Sequence, residues 1–139
     1  MAKYTKIFIF ILIAFVSISI SCSKYEDGPK ISLISKKSRI SKEWKTEYSV
    51  NLATGIEHSA DYYGWLLSIN KAGTFSKVIN YNLIQTTYNG TWEFVGDNQL
   101  RFNFNTATGE QIEFYTILRL SRKELWVKNE CEEIHYYSD

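Results

Sequence analysis

Two histidines and two cysteines are the residues of this 139-residue chain best suited to nucleophilic or metal chemistry. His58 stands alone. On a strand, Cys131, Glu133 and His135 would share one face, because side chains alternate. Zinc accepts three ligands of these types. The commoner meaning of the pattern is a mixed polar face on a strand near the chain end, and no metal site is assigned. No glycine-rich loop of the phosphate-cradling kind is present, and no nucleophile elbow. The carboxylates are scattered, and nothing in their spacing pairs two of them for acid–base work. The expectation is a protein that is not an enzyme and carries no cofactor.

The aromatic residues are the remaining chemistry. Trp65, Trp92, Phe94, Phe102, Phe104 and Phe114 fall on the inner face of the strands read below. They either line a pocket for an apolar ligand or fill the core; filling the core is the commoner use. Tyr62, Tyr63, Tyr136 and Tyr137 are expected to be exposed, where tyrosine favours partner contacts. Sixteen Lys and Arg face fifteen Asp and Glu, so the net charge is +1. That balance argues against nucleic acid and against a polybasic membrane binder, both of which need an excess of basic residues.

The elements that hold these residues read as strands. From Trp44 onward apolar residues recur with period two, the mark of one buried and one wet face. "WKTEYSV" aligns Trp44, Tyr48 and Val50, and "YGWLLSIN" aligns Trp65, Leu67 and Ile69. "GTFSKVIN" is ambiguous, since Phe75 and Ile79 disagree in phase with Val78. "GTWEFV" pairs Trp92 with Phe94, and "QLRFNFN" sets Leu100, Phe102 and Phe104 inward. "QIEFYTILRL" aligns Ile112, Phe114, Thr116, Leu118 and Leu120, with Glu113, Tyr115 and Arg119 opposite. "ELWVK" and "EEIHYY" close the chain. Turn signals such as "NKAGT", "GDNQ" and "TATGE" separate the runs. The connections are too short for crossover helices, so neighbours pair antiparallel. The fold class is all-β, an antiparallel meander of about eight strands that forms an up-and-down barrel, complete or flattened. "GIEHSADYYG" is the longest break in the pattern and the natural lid or mouth loop. "SLISKKSRISKEW" fits one helical turn before the first strand.

The chain opens with Lys3 and Lys6, followed by the uncharged run Ile7 to Ile20. The run is shorter than the ~20 residues of a spanning helix and fits a secretory signal peptide. A short anchor or a buried helix is the alternative. The stretch "SISC" before the mature domain resembles the lipobox of bacterial lipoproteins, with small Ser21 before Cys22 and Ser19 where the family has Leu or Val. The resemblance implies cleavage before Cys22, a diacylglycerol on its sulfur and an acylated new amino group. A disulfide with Cys131 is the other reading of Cys22. If Cys22 is lipidated, Cys131 is a lone thiol, expected as buried filler. Ser23 stands where Asp would mark inner-membrane retention, and Lys24, Glu26 and Asp27 resemble a short surface-export signal; a solvated tether is the alternative. The resulting division is 1–21 signal peptide, 22–41 lipidated tether and lead-in, and 42–139 barrel.

"EDGPKISLISKKSRISKEWK" (Glu26 to Lys45), "NGTWEF" (Asn89 to Phe94) and "YTILRLSRKELWVK" (Tyr115 to Lys128) resemble the lipocalin-like lipoproteins of bacteroidete-type bacteria. The resemblance implies a barrel around an apolar interior, on an outer-membrane lipoprotein that faces either the periplasm or the cell surface. It also implies a Trp at the barrel floor against an Arg from a late strand. Trp44 and Arg119 match those positions, and Lys42 replaces the Gly of the Gly-x-Trp motif. Two functions follow: a membrane-anchored binder of a small hydrophobic ligand, or a packed domain that meets envelope partners through its outer face. An envelope hydrolase is the third and least supported.

Overall fold

The computed structural model describes residues 33–139. Residues 1–32, which carry the expected signal peptide, Cys22, Lys24, Glu26, Asp27 and most of the expected tether, lie outside the described residues. Among the described residues no helix is long and apolar enough to cross a membrane. One short helix, α1 (Lys36–Ile40), precedes eight strands: β1 (Glu43–Asn51), β2 (Leu66–Ile69), β3 (Thr74–Tyr81), β4 (Ile84–Val95), β5 (Gln99–Thr106), β6 (Gly109–Leu120), β7 (Glu124–Lys128) and β8 (Glu132–Tyr137). Each strand pairs antiparallel with the next, and β8 returns to β1 to close the barrel. The expected all-β meander is therefore complete.

Alternation puts Leu100, Phe102 and Phe104 of β5, Leu125 and Val127 of β7, and Ile134 and Tyr136 of β8 in the core. Side chains close the tight turns. Asn70 Oδ1 accepts from the N–H groups of Ala72 and Thr74, and Asn129 Oδ1 from those of Cys131 and Glu132. Between β3 and β4 the turn residues Asn82 and Leu83 both have positive φ, 49° and 66°. The backbone twist of a two-residue hairpin asks for that geometry, and Leu83 adopts it fully exposed.

The closed end of the barrel is plugged by α1. Ser35 caps it by accepting from Ser38 N–H at 3.2 Å. Ile40 and Trp44 are 0% exposed, and the indole N–H donates to the Ile40 carbonyl at 2.8 Å. Arg39, also buried, donates to the Leu120 carbonyl at 2.7 Å. Trp44 thus occupies the floor as the resemblance implied. Arg119 does not meet it there. Arg119 lies on the outer wall, 5.1 Å over the ring of Trp126 and paired with Glu124 at 2.7 Å. The buried arginine of this end comes from α1.

Strand β6 departs from its expected faces. A register shift between Ile117 and Arg119 inserts an extra residue. Below it Leu118 and Leu120 are buried, as expected; above it Tyr115 and Ile117 are buried, with Glu113 on the same side. Phe114, 50% exposed, and Ile112, 51% exposed, are therefore on the outside. The continuous period-two reading placed them within. In β3 the phase is set by Phe75, so Lys77 and Ile79 point inward with it. Tyr136 is buried and Tyr62 half-buried, whereas Tyr63 and Tyr137 are exposed. Cys131 is exposed in the β7–β8 turn rather than buried in a strand.

Two predictions follow from this packing. A methyl group on Gly90 of β4 would lie 2.0 Å from the Asn103 carbonyl oxygen and 2.9 Å from Phe104 Cβ. Gly90→Ala is expected to destabilise the barrel by about 1–3 kcal/mol, read from denaturant unfolding; an unchanged midpoint would disprove the close approach. The second concerns tyrosines. Burial, then Tyr136 and the Glu113 carboxylate, push the Tyr115 hydroxyl far above the ordinary tyrosine range. Burial, then Glu132 and Glu113, do the same for Tyr136. A phenol kept neutral by the fold stabilises it fully below its unfolded value of about 10, and that contribution is lost as pH rises beyond it. Melting temperature should fall above about pH 10, and less steeply in a Tyr115→Phe/Tyr136→Phe variant. Equal slopes would rule out these two hydroxyls as the cause.

Candidate functional site at the barrel mouth

The open end is uneven because strand lengths differ. The β3–β4 ladder runs to Tyr81 opposite Ile84, whereas β2 follows β3 only to Val78. The β5–β6 ladder runs to Thr106 opposite Gly109, whereas β7 joins β6 only from Thr116. A wall of four strands, β3 to β6, therefore stands above the rest. Its inner surface borders an open cleft of about 520 Å³ lined by Lys77, Ile79, Tyr88, Phe104, Gln111 and Glu113, with the Thr106–Thr108 tip at its edge. This lies within the roughly 300–1,000 Å³ of small-molecule sites.

Lys77 and Glu113 form the floor. Facing registers bring them there: Lys77 stands opposite Tyr88, and Glu113 opposite Phe102. Lys77 Nζ lies 3.0 Å from Glu113 Oε2 and 3.3 Å from Oε1. The Tyr115 hydroxyl donates to Oε2 at 3.2 Å. The ammonium also sits 5.3 Å from the centre of the Phe104 ring, which stands 5.4 Å from that of Tyr88. A lysine has three N–H donors and a carboxylate about four acceptor positions, so the pair keeps both kinds of capacity for a guest. The aromatic rings and Ile79 supply an apolar wall beside it. Beneath the floor the barrel is filled. The space between Lys77, Glu113, Tyr115 and the core below is about 10 Å³, room for one water.

The six aromatic residues expected on the inner face have separate fates. Phe104 lines the mouth, and Phe102 packs below it edge-on to Phe75 at 4.8 Å. Trp92 is buried near the closed end and donates to the Asn70 carbonyl at 2.8 Å. Phe94 is half-buried beside it, under the Lys36 ammonium at 4.0 Å. Trp65 is half-buried, donates to the Asn80 carbonyl at 3.1 Å and packs 4.2 Å from Tyr62. Phe114 is outside. The structure thus brings one of the six into the cleft. The sequence pattern names neither Lys77 nor Glu113 as a site residue and puts Glu113 outward, because a charged residue inside a strand reads as a wet-face residue. The usable signal was Lys77 in phase with Phe75.

The long β1–β2 connection contains a single 3₁₀ turn, Ser59–Tyr62. It is tied down along β1 rather than free over the mouth. Ser59 Oγ accepts from Ser49 N–H at 2.9 Å, and His58 N–H donates to the Ser49 carbonyl at 2.9 Å. The Tyr62 hydroxyl donates to Glu132, and burial followed by that bond raises its pKa above the ordinary value. Ser49 Oγ and His58 Nε2 lie 3.1 Å apart, the spacing of a nucleophile and its base. Ser49 is 0% exposed, so no substrate carbonyl reaches it and the pair anchors the loop. His135 Nε2 meets Glu133 at 2.7 Å and its ring stacks on Trp126 at 4.2 Å, on the outer wall. Among the described residues no three His, Cys, Asp or Glu side chains gather as a metal site.

No protein-family model matches this chain, and no curated protein does. Two solved structures share its fold. A lipocalin-like protein from Bacteroides uniformis superposes with a TM-score of 0.59 at 15% identity, over 73% of this chain and 99% of that one. An uncharacterized protein from Bacteroides eggerthii superposes with a TM-score of 0.56 at 11% identity, over 70% and 98%. At such identities the likeness is one of fold: the chain forms a lipocalin-like, eight-stranded antiparallel barrel.

Proposed function

We propose that this protein is a lipid-anchored envelope protein whose barrel takes a small ligand at its mouth. The observation that carries the ligand reading is the 520 Å³ cleft floored by Lys77 and Glu113. An apolar or aromatic body would rest on Ile79, Tyr88 and Phe104. Its polar end would take up donors from Lys77 and acceptors from Glu113. The ligand is thus amphipathic, and it sits above the aromatic core instead of within it. The protein acts as a binder, not an enzyme. The anchor reading rests on the signal-like run Ile7–Ile20 and on Cys22. With it goes an outer-membrane location, surface-facing if Lys24, Glu26 and Asp27 act as an export signal.

A second reading has one observation in its favour. Most of the large apolar side chains exposed on the described surface sit at the mouth end, among them Ile56, Tyr63, Tyr81, Leu83 and Ile84. A packed domain meeting an envelope partner through this rim would use them.

Native mass spectrometry of protein purified from a bacteroidete host separates the two readings. A ligand adduct lost on denaturation is expected. Naphthalene-sulfonate dye should fluoresce in the mouth and weaken about tenfold or more with Lys77→Met/Glu113→Gln, the effect of one or two lost charge-assisted hydrogen bonds. Absence of both adduct and dye uptake would leave the partner reading. Metabolic labelling with an alkyne fatty acid tests the anchor: label is expected on the native chain and absent from Cys22→Ser. Label that persists in the variant would refute lipidation at this residue.

A further inference from the structure

The net charge of +1 conceals a separation along the barrel axis. At the closed end, α1 and the β2–β3 and β6–β7 turns carry Lys36, Lys37, Lys42, Lys71, Arg122 and Lys123. Backbone and side-chain bonds gather them there. Lys42 Nζ donates to the Arg122 carbonyl and Lys36 Nζ to the Asp97 carbonyl. The Lys42 carbonyl accepts from Ile69 N–H at 2.9 Å, just before the turn that holds Lys71, and the Lys123 carbonyl accepts from Ser138 N–H at 2.9 Å. Glu43, Asp97, Glu124 and Asp139 are acids of this end; Glu124 is paired with Arg119 and Asp139 with Lys45. At the mouth the balance reverses, with Glu57, Asp61, Glu110, Glu130 and Glu132 against Lys128.

The segment before Leu33 joins the barrel at the basic end, through α1. It contains the uncharged run Ile7–Ile20. Twelve residues lie between Ile20 and Leu33, a reach of at most about 45 Å when extended. A membrane that holds the chain by this run, or by a lipid on Cys22 once the run is cleaved away, therefore lies within that distance of the basic surface.

We propose that the closed end of the barrel docks on an anionic membrane, with phosphate-bearing lipid headgroups as its occupant. Charge complementarity and the attachment point of the N-terminal segment support it independently of each other. The proposal goes beyond the ligand reading and does not depend on it. Docking in this way turns the acidic, apolar-rimmed mouth away from the lipid. Each basic residue near an anionic leaflet raises partition about fivefold, and salt removes the effect as the screening length shrinks to about 3 Å at 1 M.

The test uses the full chain with vesicles of phosphatidylcholine alone or mixed with phosphatidylglycerol. At low salt the chain should partition about tenfold or more in favour of the anionic vesicles, and the preference should vanish in high salt. Lys37, Lys71, Arg122 and Lys123 are exposed, and none is in an ion pair among the described residues. The variant Lys37→Glu/Lys71→Glu/Arg122→Glu/Lys123→Glu should keep its binding to neutral vesicles and lose the preference. The milder set Lys37→Gln/Lys71→Gln/Arg122→Gln/Lys123→Gln, less demanding on folding, should lose part of it. No preference in the native chain overturns the proposal. So does a preference that survives both variants, which would belong to the lysines of residues 1–32.

Discussion

The pairing of β8 with β1 is the constraint from which the other features descend. It runs from Lys45 opposite Tyr137 to Asn51 opposite Glu132 and leaves the sheet without a free edge along that seam. Eight strands closed in this way give a radius that side chains just fill. Large residues such as Trp92, Phe75 and Phe102 then occupy the whole bore, and Gly90 is needed where β4 passes closest to Phe104. A guest has no room inside such a barrel. Space opens only where strands outrun their neighbours, and the unequal lengths of β2, β3, β6 and β7 put it at one end.

The two ends have become chemically different. One is sealed by α1, Ile40 and Trp44, with Arg39 Nη1 donating to a strand-end carbonyl and the Trp44 indole to the helix it follows. The other keeps a charged pair in a half-sheltered place. An ion pair costs less to hold there than in the dry core, since water still reaches Glu113. Tyr115 stands at the boundary. Its ring belongs to the core and its hydroxyl to the floor of the mouth.

Much of the fold was legible because barrel strands with one wet face announce themselves. β5 was read correctly down to its inward residues, and the helical turn before β1 was visible in "SKKSRI". The first half of β4 was missed because "IQTTYN" carries little apolar signal; it forms part of the raised wall, with Tyr88 packed against the core. The site was less legible. Glu113 and Tyr115 were assigned outward because an unbroken alternation was carried through β6, and a bulge leaves no composition of its own. Lys77 was legible only by giving phase precedence over polarity. Arg119 was matched to a role by its position in a motif, yet its neighbours are Trp126 and Glu124 on the outer wall.

The bulge in β6 has a consequence for how such a chain can change length. Between the bulge and the β5–β6 tip, each residue's face is fixed by counting from the extra residue near Ile117. Removing one residue between Phe114 and the bulge would turn Glu113 outward and Phe114 inward together. Insertions and deletions there are therefore restricted to even steps, taken jointly with β5. The turn at Asn129–Cys131 has no such parity rule on the β6 side, because β7 leaves β6 at Thr116. Relatives with the same floor should differ in wall height by pairs of residues, and in the β7–β8 turn by any number.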